Sequence, residues 1–278
     1  MQLGISSYAF AWAVGVPGAV PDHPMTSIGL VDKALELNLG LVQIADNLPL
    51  HRRSNETVDE LARYALSRSI GIELGTRGIK PEHLYKYLEL AKRVRSPILR
   101  VVVDNKDERP SPGQVVDLLN ESLGAFEHAD VRIAIENHDR FKASTLAQII
   151  ERIGSRFVGI CLDTVNSFGA SEGPDVVVST LAPFVINVHI KDYVVHRASH
   201  KMGFTIEGRP AGRGQLNVNG LLESLERHGR DPNLILELWT PPEPTLEATI
   251  AKESEWARQS VDYLVNLFEL RKRDTRLF

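Results

Sequence analysis

Short runs dominated by valine, isoleucine and leucine recur along the chain, and a longer stretch with helical spacing follows each of them. Runs that are apolar throughout, without alternation of apolar and polar residues, are typical of parallel strands that are buried on both faces. The runs predict eight strands, at residues 3–8, 40–46, 71–76, 97–104, 131–137, 157–163, 184–192 and 233–239.

The stretches between the runs repeat their apolar residues every three or four positions, as amphipathic helices do. This spacing predicts eight helices, at residues 27–39, 56–69, 81–94, 111–129, 144–154, 175–182, 217–229 and 245–273. Strict alternation of strand and helix requires parallel strands with right-handed crossovers. We therefore expect an α/β fold, a (β/α)8 TIM barrel that forms one domain over residues 1–278. The alternative is an open doubly wound sheet, but no GxGxxG motif follows the first predicted strand.

Composition and charge narrow the class of protein. The 278 residues are 43% hydrophobic and 24% charged, which is typical of a globular domain, and the net charge of −4 disfavours a nucleic-acid or lipid-surface protein. No run reaches the roughly 18 apolar residues of a membrane span, and the N-terminus lacks a signal-peptide pattern. The single cysteine, Cys161, stands in an apolar run and is expected to be a buried small hydrophobe. We expect a cytoplasmic protein that binds neither membrane nor nucleic acid.

Four consecutive predicted strands each end in a residue that can bind a metal ion: Glu136, Asp163, His189 and Glu237. The carboxyl ends of barrel strands meet at one mouth, where TIM-barrel enzymes have their active sites. Each of the four follows an apolar run, where an unpaired charge is costly and needs a compensating cation. Three carboxylates and one imidazole suit one divalent metal, with Mn²⁺ the first candidate and Mg²⁺, Co²⁺ or Zn²⁺ as alternatives. The competing interpretation is that they are ordinary strand-end residues paired with nearby lysines and arginines.

This pattern resembles the xylose isomerase-like TIM-barrel superfamily, which includes sugar phosphate isomerases and epimerases. The resemblance covers nearly the whole chain, and its most specific pieces are residues 134–141, 159–168, 187–192 and 212–217. It implies a single divalent metal on the four residues above, and it implies that Glu136 and Glu237 also act as catalytic acid and base. Dimers and tetramers are common in the family, so the resemblance implies a homo-oligomer.

Two types of reaction fit such a centre. A metal that chelates a carbonyl and the neighbouring hydroxyl stabilises a cis-enediolate. The first hypothesis is therefore a divalent-metal-dependent isomerase or epimerase of a small keto-sugar, sugar phosphate or sugar acid. The alternative is a lyase on the same scaffold, either a dehydratase or a decarboxylase of a 3-keto sugar acid, because loss of CO₂ from such an acid also leaves an enolate.

Further features of the sequence bear on which member of the superfamily the chain resembles. The region from the end of the seventh predicted strand through residues 240–253 resembles barrel enzymes of apiose and isoapionate catabolism, such as 3-oxo-isoapionate decarboxylase. A nuclease resembling endonuclease IV is disfavoured, because the second and third predicted strands end without its additional histidines. A binding barrel without enzymatic activity is a further alternative.

Departures from the ketose 3-epimerase pattern bear on the substrate. Lys142 replaces the acid that ends the motif after Glu136, and Asn166 stands where those epimerases carry a substrate-binding histidine. Both changes disfavour a free ketose. Lys142 favours an anionic substrate group, with a solvated surface lysine as the alternative, and Asn166 is predicted to contact the substrate.

His138 and Lys191 are two further predicted substrate contacts. His138 and Lys191 each lie two positions after a ligand, so a continuing strand would turn them to the same side. His138 is a candidate proton shuttle and Lys191 a candidate anion contact.

Several further residues are expected near the mouth of the barrel. Residues 193–216 are predicted to form a long loop whose glycines let it fold over a ligand as a lid, with Arg213 as an anion contact and Asp192 orienting the loop. Arg77 and Asp104 are expected to line the site. Gln43 and Glu73 are expected either there or as polar contacts inside the barrel.

Overall fold

The structure, a computed structural model, describes residues 1–274. Eight parallel strands close into a barrel in the order β1-β10-β7-β6-β5-β4-β3-β2, while β8 and β9 form a separate antiparallel pair. The strands are β1 Leu3–Ser6, β2 Leu41–Ile44, β3 Gly71–Arg77, β4 Ile98–Val102, β5 Arg132–Glu136, β6 Val158–Asp163, β7 Val185–Ile190, β8 Asp192–Arg197, β9 Phe204–Arg209 and β10 Asn233–Leu236. The predicted TIM barrel is confirmed.

Helices surround the barrel and cover its apolar outer face. Within residues 1–274 the helices are α1 Ala11–Val14, α2 Ser27–Glu36, α3 Asn55–Ser67, α4 Pro81–Val94, α5 Pro112–His128, α6 Ala143–Ile153, α7 Pro174–Leu181, α8 Val218–Arg227 and α9 Leu246–Asp274. Three of them, α4, α5 and α7, begin with proline, whose fixed φ and missing N–H suit the first helical position. In this part of the chain no helix has both the length and the apolar character that crossing a membrane would need.

The continuous apolar runs are strands because both of their faces are covered. Every residue of β6 and of β7 is buried, one face by the helices and the other by the barrel interior. The predicted helices and barrel strands agree with the structure to within a few residues at each end. The last four residues of the predicted domain, 275–278, lie outside the described residues.

The first strand is shorter than predicted, because residues 7–10 leave it in a 3-10 turn. The Ser6 hydroxyl accepts a hydrogen bond from the backbone N–H of Tyr8 and caps that turn. The short helix α1 follows it and was not predicted. Together the turn and α1 bring Tyr8 and Trp12 to the mouth side of the barrel.

The prediction of one long loop at residues 193–216 was wrong, because most of this segment is the β8–β9 hairpin. The two strands are in register from Asp192 opposite Arg209 to Arg197 opposite Phe204. Lys201 and Gly203, both with positive φ, form the turn between them. Valine and tyrosine in β8 and phenylalanine and isoleucine in β9 favour strands, a signal that the many glycines obscured.

Three glycines of this segment, Gly208, Gly212 and Gly214, stand where a side chain would collide with neighbouring groups. A Cβ at Gly208 would collide with the backbone carbonyl of Trp239, and one at Gly212 would collide with the ring of Tyr263. The carboxylate of Asp192 accepts hydrogen bonds from the backbone N–H groups of Gly212 and Gly214, each at 2.9 Å. The expectation that Asp192 orients this segment is confirmed.

Candidate metal centre and active site

Glu136, Asp163, His189 and Glu237 converge at the mouth of the barrel. They lie at the ends of β5, β6, β7 and β10, and each is at most 2% exposed. From Nδ1 of His189, the distance is 3.4 Å to Oε2 of Glu136, 3.7 Å to Oδ2 of Asp163 and 3.4 Å to Oε1 of Glu237. Strand register brings these residues together. His189 on β7 lies opposite Asp163 on β6, and on its other side it lies opposite Ile235 on β10, two residues before Glu237.

The donor atoms of this cluster fit a divalent metal ion. Nδ1 of His189 and Oε1 of Glu237 are buried and make no hydrogen bond within the described residues. Buried polar atoms are rarely left in that state. Donor atoms about 2.1 Å from one ion would lie roughly 3 to 3.5 Å from each other. The separations around His189 are therefore close to those that a shared cation requires.

Two buried cations already contact the acids. Nζ of Lys191 lies 2.8 Å from Oδ2 of Asp163 and 2.7 Å from Oε2 of Glu237. The guanidinium of Arg100, on β4, forms an ion pair with Glu136 and another, at 2.9 Å, with Asp46. The competing interpretation of the sequence, acids paired with basic residues, therefore holds in part, but within the described residues Nδ1 of His189 and Oε1 of Glu237 still make no hydrogen bond.

The pairing keeps Asp163, Glu237 and Lys191 charged. Burial raises the pKa of Asp163 and of Glu237, but Lys191 and His189 outweigh it, and both values stay below their usual range. Burial lowers the pKa of Lys191, yet the nearby carboxylates of Asp163 and Glu237 raise it above that of a free lysine. The carboxylates of Glu237 and Glu136 likewise overcome burial and raise the pKa of His189. The site is a fixed array of charges.

Backbone and amide groups orient the acids. Oδ1 of Asp163 accepts hydrogen bonds from the backbone N–H groups of Val165 and Asn166, at 2.9 and 2.8 Å, which turns Oδ2 toward the cluster. Asn166 also donates from Nδ2 to Oε1 of Glu136 at 2.7 Å. The side chain of Asn166, predicted to contact the substrate, thus lies at the metal centre and holds one of its acids.

The structure brings Lys191 and His138 to the mouth, as the two-residue offset predicts. Lys191 is 6% exposed, and its ammonium points into the acid cluster. The side chain of His138 is 27% exposed and lies farther out. Its Nε2 is 2.9 Å from Nη2 of Arg77, and its Nδ1 is 2.8 Å from Oδ1 of Asp139. Because an arginine only donates, Nε2 of His138 accepts, and the ring proton is on Nδ1.

Two other predicted substrate contacts lie away from the cluster. Lys142 precedes α6, and its ammonium donates to the backbone carbonyl of Ala170, which fits the alternative of a surface lysine. Arg213 is exposed in a surface groove against α9, together with Arg258 and Tyr263. Arg213 follows the β8–β9 hairpin, between two glycines whose backbone N–H groups donate to Asp192.

Arg100 is the residue of this site that the sequence analysis missed. It is 2% exposed in the middle of β4, between Leu99 and Val101. A cation inside an apolar run is the same signal that identified the acids, since an unpaired charge there is costly. Because an arginine does not bind metal ions, a pattern of metal-binding residue types does not include Arg100.

A second layer of groups surrounds Arg100. The hydroxyl of Tyr8 donates to Oδ2 of Asp46 at 2.9 Å, and Nε of Arg77 lies 3.3 Å from the same oxygen. Burial raises the pKa of Asp46, but Arg100 and Arg77 outweigh it and lower that value. Arg77 therefore lines the mouth as expected. Asp104 instead pairs with Arg140, whose Nε lies 2.7 Å from Oδ2 of Asp104.

Comparisons with known proteins agree with this architecture. Residues 76–266 match the family described as xylose isomerase-like TIM barrel. The chain is 31% identical over 264 residues to a 3-oxo-isoapionate decarboxylase from Pectobacterium atrosepticum, and the alignment covers 95% of each protein.

Solved structures share the fold at low sequence identity. A D-psicose 3-epimerase from Clostridium cellulolyticum H10 superimposes with a TM-score of 0.71 at 14% identity, over 95% of this chain and 98% of that one. A probable 3-DHS dehydratase from Bacillus anthracis superimposes with a TM-score of 0.64 at 13% identity, over 91% and 97% of the two chains. At such identities the likeness extends to the fold alone.

Proposed function

This chain belongs to the xylose isomerase-like TIM-barrel family, and on that premise we propose that it is a divalent-metal-dependent decarboxylase of a small 3-oxo sugar acid. One observation carries the choice of reaction: Glu136 and Glu237 are each paired with a buried cation, Arg100 and Lys191. An isomerase needs a free carboxylate to remove a proton from carbon. Decarboxylation needs no such base, because the breaking C–C bond supplies the electron pair.

The metal would be held by Glu136, Asp163, His189 and Glu237; the short distances from Nδ1 of His189 to the three carboxylates favour this assignment. When bound, the ion supplies a Lewis acid for the oxo oxygen of the substrate. Mn²⁺ remains the first candidate, with Mg²⁺, Co²⁺ and Zn²⁺ as alternatives. The similarity to the decarboxylase supports an oxo acid as the class of substrate.

Lys191 and Arg100 would stabilise the charge that develops during the reaction. As the C–C bond to the carboxylate breaks, CO₂ leaves and negative charge moves to the oxo oxygen. Both cations are buried, and the raised pKa values of Lys191 and Arg100 keep them charged. Burial by itself lowers the two pKa values, and the surrounding carboxylates more than compensate. Fixed charges in a dry site stabilise such a change without reorganisation.

Arg77 and His138 would handle the substrate carboxylate and the returning proton. The side chain of Arg77 is 36% exposed at the mouth, which makes it more accessible than the buried Arg100 and Lys191. We assign it the substrate carboxylate. His138 carries its ring proton on Nδ1, as its contact with Arg77 requires, and it would relay one proton from solvent to the carbon that CO₂ has left. One proton enters and one CO₂ leaves, so the reaction is balanced.

The second candidate is isomerisation or epimerisation of a keto-sugar. It is favoured by the placement of Glu136 and Glu237, whose oxygens lie at equal distances, 3.4 Å, from Nδ1 of His189. Two acids that flank one centre are what a reaction with proton removal and return at opposite faces needs. This candidate requires the substrate to displace Arg100 or Lys191 from one of the glutamates.

One assay separates the candidates. The Mn²⁺-loaded protein is incubated in D₂O with a panel of 3-oxo sugar acids and keto-sugars, and CO₂ and deuterium are both measured. CO₂ release with one deuterium per product molecule supports decarboxylation. Deuterium exchange without CO₂ supports the isomerase instead. Absence of both products across the panel, with the metal shown to be bound, would overturn the proposal.

A further inference from the structure

A network of buried amide and carboxylate groups crosses the barrel interior beneath the acid cluster. Its centre is Glu73 on β3, which is 0% exposed. Oε2 of Glu73 accepts from Nε2 of Gln43 at 3.2 Å and from Nδ2 of Asn187 at 2.8 Å. Its Oε1 accepts from Nδ2 of Asn233, also at 2.8 Å. The network thus ties four strands of the barrel together, β2, β3, β7 and β10.

The carboxylate of Glu73 determines the orientation of the three amide groups that contact it. A carboxylate only accepts hydrogen bonds, so each amide must direct its NH₂ group to Glu73. Nε2 of Gln43 also donates to Oδ1 of Asn187 at 3.2 Å, which uses its second hydrogen. The remaining atom of Gln43, Oε1, therefore faces the other way, and it lies 2.7 Å from Nε2 of His189.

This orientation determines which nitrogen of His189 carries a proton. An amide oxygen can only accept, so Nε2 of His189 must be the protonated nitrogen. The opposite nitrogen, Nδ1, points at Glu136, Asp163 and Glu237 and makes no hydrogen bond.

We propose that Gln43, held by Glu73, is a positioning residue that presents Nδ1 of His189 to the metal. The inference rests on the metal centre of the proposed function. Gln43 is 0% exposed and lies beneath His189, so it reaches the centre only through that ring. Partners of this kind on metal-bound histidines typically change metal affinity about 10- to 100-fold.

The first test removes the amide oxygen that His189 contacts and keeps the volume of the side chain at position 43. Gln43→Met has a side chain of similar length without an oxygen or an amide. Titration calorimetry with Mn²⁺ should show binding about 10- to 100-fold weaker than in the wild type. Circular dichroism and gel filtration of the metal-free protein verify folding. Binding within twofold of the wild type would overturn the proposal.

A charge swap and a control variant distinguish positioning from general disturbance. In Gln43→Glu/Glu73→Gln the donors and acceptors are exchanged, and a flip of Asn187 restores its hydrogen bonds with residues 43 and 73, at the loss of its weak contact with the thiol of Cys161. Mn²⁺ affinity should therefore recover to within a few-fold of the wild type, far above that of Q43M. Asn233→Ala removes another donor from Glu73 but leaves Gln43 on His189, and it should bind Mn²⁺ within about threefold of the wild type. Equal losses in N233A and Q43M, or no recovery in the swap, would contradict the role of Gln43.

A spectroscopic measurement on the wild type needs no variant. In ¹⁵N-labelled protein loaded with diamagnetic Zn²⁺, His189 should show a slowly exchanging proton on Nε2 and a metal-shifted Nδ1. A proton on Nδ1 with the metal on Nε2 would overturn the proposal. If the wild type binds neither Mn²⁺ nor Zn²⁺, the proposed function fails and this inference fails with it. If the wild type and Q43M bind equally, only the inference fails.

Discussion

The two halves of the barrel mouth differ in the charges that they contribute to one site: the second half supplies most of the acids together with Lys191, and the first half supplies two arginines. The second half, β5, β6, β7 and β10, supplies three acids and an imidazole, each at a strand end. The first half supplies the cations Arg77 and Arg100, and Asp46 holds both. Each acid of the second half follows an apolar run, whereas Arg100 stands inside one. The fold thus neutralises much of its own acid cluster with its own cations.

Removing an acid from the second half should have the largest effect. We expect Glu237→Gln to lower turnover by about 10³-fold, since it deletes both a ligand and a charge of the array. Steady-state CO₂ release and Mn²⁺ titration calorimetry measure this. Cys161→Ala is the matched control in the same interior. Cys161 lies near Glu136 and His189 but is outside the proposed ligand set, so C161A should leave Mn²⁺ binding unchanged. If C161A lost Mn²⁺ and E237Q kept it, the ligand set would be wrong.

Removing the buried cation of the first half should destabilise the metal-free protein. Arg100→Met leaves Glu136 and Asp46 buried with one fewer partner, a change that typically costs about 3 to 5 kcal/mol. Urea unfolding with EDTA measures the loss, and added Mn²⁺ should restore part of it. Arg140→Met, which breaks the less buried pair with Asp104, should cost about 1 kcal/mol or less. Equal losses in the two variants would show that the first half does not balance the acid cluster.

The exposed cation of the first half should act on substrate binding. Arg77→Met removes the group that we assign to the substrate carboxylate, and we expect KM to rise about 30-fold with little change in kcat, since a charged hydrogen bond contributes roughly 1.5 to 3 kcal/mol. Arg213→Met is the control, because Arg213 lies in the groove against α9 and should leave KM unchanged. If R213M raised KM and R77M did not, the substrate carboxylate would have to be assigned to the groove that Arg213 lines.

The pKa of Glu253, a carboxyl group outside the mouth, is raised, whereas the pKa values of Asp163 and Glu237 are lowered. The contribution of Glu253 to stability should therefore depend on pH. Glu253 on α9 accepts hydrogen bonds from the backbone N–H groups of Trp12 and Ala13, at 3.0 and 3.1 Å. Burial raises the pKa of Glu253 to about 7, although those N–H groups oppose the shift. A folded pKa above the unfolded value means that stability is lost as pH rises from about 4.5 to 7.

The expected loss from Glu253 between pH 5 and pH 7 is about 2 kcal/mol. Urea unfolding of the wild type and of Glu253→Gln at both pH values measures it, because their difference isolates this residue from the other titrating groups. E253Q should be less stable overall, since its amide cannot accept from both N–H groups, but its stability should lack this dependence on pH. Parallel pH profiles for the two proteins would contradict the shift.

Local patterns along the chain are enough to predict the barrel and the position of the acids. Periodicity separates strand from helix, and Glu136, Asp163 and Glu237 each follow a run too apolar to carry an unpaired charge. Because strand ends of a closed parallel barrel share one mouth, their convergence followed from order along the chain. These are local patterns combined with one topological rule, so they can be found without coordinates.

Which side chains meet across that mouth depends on how the chain folds in three dimensions. Arg100 reaches Glu136 on one side and Asp46 on the other, and Gln43 reaches His189 from a strand that is distant in sequence. Arg213 follows the β8–β9 hairpin and lies away from the mouth, and a carbonyl at Ala170 engages Lys142. The physical reason is that these contacts depend on barrel closure and strand register, which bring together residues that no local pattern connects.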